Sequence, residues 1–84
     1  MDDFDKIQAR IEQFAQNIMP YAPSPEMAAE IGTKMKACVE VLREQYNAYL
    51  NESNPVLKEE LHKAFEAKKD EFLEILKWMV GLRT

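Results

Sequence analysis

The five residues Asn51-Glu52-Ser53-Asn54-Pro55 decide the fold. Asparagine and serine are the side chains that best accept from the open N–H groups of a helix start. Proline suits the first helical position, where its preset φ helps and its missing N–H costs nothing. The stretch therefore predicts a turn over 51–54 and a new helix over about 55–80. A link this short between two helical patterns folds the second back against the first as an αα-hairpin.

Working back from the turn, Ala28, Ile31, Met35, Cys38, Val39, Leu42, Tyr46, Tyr49 and Leu50 recur on one broad face of a helix spanning about 25–50. A face that wide can touch two neighbours. Its start is marked by Ser24-Pro25-Glu26: a side-chain acceptor at the cap, a proline with the right φ, and an acid at the positive end of the helix dipole. Working forward, Leu57, Leu61, Ala64, Phe65, Phe72, Ile75, Leu76, Met79 and Leu82 share a face, and Gly81 offers a stop.

Further upstream, Pro20-Tyr-Ala-Pro-Ser-Pro25 is too rich in proline for a helix and predicts a stiff, extended connector with a turn over 20–25. Before it, Phe4, Ile7, Ile11, Phe14 and Ile18 are spaced three and four residues apart over a helix at about 3–19, capped by Asp2 or Asp3 and stopped at Pro20. The expected fold is all-α: a small three-helix bundle of two long antiparallel helices plus a shorter N-terminal helix, in one domain. Whether the first helix packs on its own hairpin or on a second copy of the chain is open at this level.

The 84 residues are 46% hydrophobic and 31% charged, with two glycines. That balance is too apolar for disorder and favours helix. Net charge is −4 and unevenly spread: residues 1–24 hold four acids and two bases, 25–54 five and three, 55–84 six and six. A generic phosphate-binding surface has no positive excess to work with, so nucleic acid is not an expected partner. No run of about 20 apolar residues predicts a membrane span. One cysteine, Cys38, cannot form an internal disulfide, and nothing resembles a secretory signal, so a cytoplasmic, soluble protein is expected. No nucleophile, P-loop or metalloprotease pattern is present, and the chain reads as a non-enzyme without cofactor or metal.

The strongest functional feature is Phe72-Leu73-Glu74-Ile75-Leu76-Lys77-Trp78-Met79-Val80-Gly81-Leu82, in which nine of eleven residues are neither charged nor polar. With Ile75 as the centre of the core face, Leu73 and Val80 fall roughly 140–160° away. Either helix 1 or the connector folds over this region, or two isolated aliphatics simply sit exposed, or Leu73, Leu76, Trp78, Met79 and Val80 form a contact surface for a protein partner or a second copy.

A runner-up is a small anionic-ligand or nucleotide-sequestering pocket using Tyr46, Tyr49 and Lys68. Lys68 projects among Leu61, Phe65, Phe72 and Ile75; its stem covers apolar surface, or its amine meets a carboxylate of another helix, or it binds an anion. Gly32 implies either close approach of a neighbour or a kink or break in helix 2. His62, with Glu59 and Glu66 one turn away, reads as a surface residue, and Cys38 as packing. Two long helices joined at Asn51–Pro55 resemble type III secretion needle subunits and their small chaperones. The resemblance covers that turn and the hairpin, helix 1 and its connector depart from it, and it carries no residue roles. Small acidic helical inhibitors made by phages are similar in size and in lacking sites.

Overall fold

The computed structural model describes residues 3–81, and among these there are three α-helices and no strand. Helix α1 spans Phe4–Ile18, α2 spans Pro25–Asn51 and α3 spans Pro55–Met79. They run up, down and up, with α2 and α3 sharing the longest interface and α1 laid more fully on α2 than on α3. Helix 1 thus packs on its own hairpin. The result is an elongated bundle of 46 × 23 × 16 Å.

Each helix start follows from its cap. Asp3 Oδ1 accepts weakly from Asp5 N at 3.4 Å, Ser24 Oγ from Met27 N at 3.1 Å, and Asn54 Oδ1 from both Val56 N at 2.9 Å and Leu57 N at 3.3 Å. Glu52 reinforces the turn, its Oε1 accepting from Asn54 N at 3.0 Å. Helix α3 stops where Gly81 takes φ +76°, a left-handed conformation that glycine adopts without a Cβ clash, while its N–H bonds Trp78 O at 3.0 Å. Leu82, expected on the face of α3, lies outside the described residues.

The connector differs from expectation. Pro20 does not begin an extended segment; it sits inside a single 3₁₀ turn, Met19–Tyr21, which continues α1. The early position in that turn needs no donor from proline, so the tighter i→i+3 winding tolerates it. The chain becomes extended only at Ala22 and Ser24. Gly32 does not break α2, which runs through it without interruption. A Cβ built there would lie 3.8 Å from Met19 Cε, an ordinary contact, so close approach does not require glycine either.

The core has two linked parts. Near the middle of the hairpin, Phe4, Ile7 and Ile11 of α1 meet Cys38, Val39, Leu42 and Phe65. Toward the connector, Ala15, Ile18, Ile31 and Leu76 are buried, with Phe14, Met19, Ala22, Met79 and Val80 packed against them. The centre of the buried face of α3 is Leu76 and Phe65, both 0% exposed, whereas Ile75 is only half-buried. Moving the centre by one residue rotates the face by about 100°. Leu73 and Val80 then lie roughly 40–60° from the centre, and Trp78 becomes the outermost of the group.

Candidate functional site

That rotation corrects the expected contact surface. Leu76 is 0% exposed and cannot touch a partner. Leu73 is half-buried against Ile7, Ile11 and Phe14 in a cleft between α1 and α3, and Met79 and Val80 are half-buried against the connector end of the core. Helix 1 and the connector do fold over this run. Trp78 alone of the five is exposed, at 57%.

Tyr46, Tyr49 and Lys68 do not converge on a cavity. Tyr46 is an aromatic hub, with ring centres 5.3 Å from Phe4, 6.2 Å from Phe65 and 6.4 Å from Tyr49. Such tilted ring pairs tie all three helices together. Tyr49 continues outward to His62 at 5.9 Å, and Lys58 Nζ lies over its ring at 4.8 Å. Lys68 instead covers Phe72, its Nζ 5.7 Å from that ring centre and 3.7 Å from Glu71 of its own helix. Its stem shields apolar surface while its amine stays near water.

His62 sits 4.0 Å from Glu59 and 3.6 Å from Glu66, the helical neighbours expected of a surface histidine. Among the described residues no group of three or more His, Cys, Asp or Glu is placed to hold a metal ion, and no helix is long and apolar enough to cross a membrane. Cys38 is buried, and desolvation pushes its thiol up to about 11. A thiol so protonated is a poor nucleophile.

The exposed apolar surface lies elsewhere. Phe4 marks the first turn of α1 and stacks on Tyr46, and Arg43 closes that end, its guanidinium 4.8 Å above the Phe4 ring and its Nη2 donating to Gln8 Oε1 at 2.7 Å. Among the described residues, the hairpin projects past α1 beyond Tyr46 and Phe65 as two helices. There Leu50 is 53% exposed, Val56 68% and Leu57 46%, all within seven residues of the turn. Isolated exposed aliphatics are ordinary, and these three share one end of the hairpin, close to the turn. The turn chemistry that named the hairpin also places Val56 and Leu57: both donate to Asn54 Oδ1, which fixes the first turn of α3. A sequence signal existed in the difference in length between helix 1 and the helices of the hairpin, since about 22 Å of helix cannot cover about 40 Å.

No family model matches the chain, and no curated protein or solved structure matches it.

Proposed function

We propose that this protein is a small, acidic, non-enzymatic contact module that acts by occupying a protein surface and that associates with copies of itself. The observation that carries the reading is the hairpin tip, where Leu50, Val56 and Leu57 stand exposed beyond the reach of α1. A chain this size gains little by leaving large aliphatics in water, because each such side chain is worth about 1.5–3 kcal/mol when buried. An adaptor, chaperone-like or inhibitory role follows the same physics. Trp78, exposed at the opposite end, offers a further anchor of a type favoured at interfaces. Cys38, a single buried thiol, suits the reducing cytoplasm.

The test is solution mass. The parent should show concentration-dependent self-association, and the double variant Val56→Asp/Leu57→Asp should be monomeric, with a melting temperature close to that of the dilute, monomeric parent. A parent that stays monomeric up to millimolar concentration, or a double variant that assembles like the parent, ends this reading.

A further inference from the structure

Leu57 at the tip and Trp78 near the other end of α3 lie on one line. Ala64 and Glu71 stand between them at equal steps along the sequence, one heptad apart. All four are exposed, Leu57 at 46%, Trp78 at 57% and the Glu71 side chain at 59%. Three heptads drift only about 60° around an α-helix, so the four share one side of α3 over roughly 32 Å. The half-buried Leu61, Lys68 and Ile75 fill the alternate positions and complete the three-four spacing of a coiled-coil seam. Helix α1 lies over the other flank of α3, at Leu73 and Lys69.

The charges at the centre of the row decide what can lie on it. Lys68 Nζ is 3.7 Å from Glu71 Oε2 of its own chain, so the pair is neutral and has no spare charge to attract an ion. An ammonium has three donors, and one carboxylate does not exhaust it. The order of signs is self-complementary. About a two-fold axis midway between positions 68 and 71, two antiparallel α3 helices set Lys68 of each copy against Glu71 of the other. The same axis sets Ala64 against Ile75, small against large, and Leu61 against the exposed part of the Trp78 ring. A parallel pair would set lysine on lysine and glutamate on glutamate. An antiparallel pair slipped by one heptad would press Lys68 onto Ala64 or Trp78 and strand a charge in the seam.

We propose that the α3 rows of two copies pack antiparallel about this axis, forming a closed, isologous dimer whose register is set by a cluster of two lysines and two glutamates. Polar residues at seam positions fix register in this way at some cost in stability. The proposal rests on the reading of the protein as self-associating and extends its contact from the tip along α3.

Sedimentation velocity on the full chain tests it. Lys68→Glu sets carboxylates against each other across the axis and Glu71→Lys sets amines, so each variant alone should dimerise at least about tenfold more weakly than the parent. Mixed, they should form a 1:1 heterodimer, because every pair across the axis is again lysine on glutamate. Lys63→Glu changes net charge as Lys68→Glu does but lies off the row, and should associate like the parent. The three positions are exposed or half-exposed, and thermal melts check that each variant folds. Single variants that dimerise at parental strength, a mixture no stronger than its components, or a Lys63→Glu as weak as Lys68→Glu each overturn the row and leave association at the tip standing. A parent that grows beyond the dimer overturns the two-fold axis, and a parent that stays monomeric up to millimolar concentration overturns both readings.

Discussion

The two ends of the α2–α3 hairpin are built from similar residues and have opposite fates. Around Leu42, Phe65 and Leu76 the hairpin is roofed by α1, and those side chains are completely buried. Around Leu50, Val56 and Leu57 no third helix lies on the hairpin among the described residues, and side chains of the same kind stand in water. The difference is one of cover, not composition: α1 has 15 residues where α2 has 27 and α3 has 25. Stability should therefore reside in the roofed part and association at the tip, and substitutions can separate the two.

The largest expected effect is in the roofed part. Phe65→Ala removes a fully buried ring that meets Tyr46 and the α1 residues around Phe4, and should cost about 3–5 kcal/mol. A chain of this length has roughly 4–13 kcal/mol in total, so denaturant melts should show a variant at or near unfolding. A cost below about 1 kcal/mol would mean that the ring is not held between three helices as described.

Next comes a pH effect in the same region. The native Cys38 thiol keeps its proton to about 11, whereas an unfolded one loses it near the ordinary 9.0. The stabilisation is complete below the lower value and is lost as pH rises through the higher one, because only the unfolded chain gains by ionising. By linkage the loss amounts to roughly 2–3 kcal/mol, specific to the thiol. Cys38→Val should remove that part of the alkaline fall, measured as the difference in urea midpoints between the two proteins across that window. Parallel pH curves would place Cys38 in contact with water.

The fold was legible in the sequence because its punctuation is local. Ser24-Pro25, Asn54-Pro55 and Gly81 each fix a helix end through their own backbone chemistry, and each does so in the structure. The apolar face of α3 was only half legible. Its hydrophobic residues span an arc wide enough to be centred on Ile75 or on Leu76, and the choice depends on which side of the hairpin α1 occupies. That is a handedness between helices distant in sequence, which periodicity within one helix does not encode. Leu73 and Val80 moved from the outer side to the inner one for this reason.

Smaller effects sharpen the boundary between the two regions. Asn54→Ala removes the acceptor for two N–H groups at the tip and should cost about 1 kcal/mol, more than Asp3→Ala, whose single bond is long. Gly32→Ala in the roofed part should instead stabilise by roughly 0.5–1 kcal/mol. Helix propensity favours alanine, and the new methyl meets only the end of a flexible methionine at 3.8 Å. A destabilised Gly32→Ala would show that Met19 is held too rigidly to yield.

The smallest stability change should come from the side chain with the largest expected role in contact. Leu57→Ala removes as many methyl and methylene groups as Leu42→Ala, yet Leu57 is 46% exposed and Leu42 is 0%. Cavity and transfer costs scale with burial, so Leu42→Ala should lose about 2–5 kcal/mol and Leu57→Ala less than about 0.5 in a monomeric, dilute sample. At concentrations where the parent associates, the Leu57 variant should fall behind, because assembly stabilises only folded chains that can make the contact. A melting-temperature difference that appears on concentrating the protein and vanishes on dilution identifies Leu57 as a contact residue. A difference of the same size at every concentration would assign it to the core of its own chain.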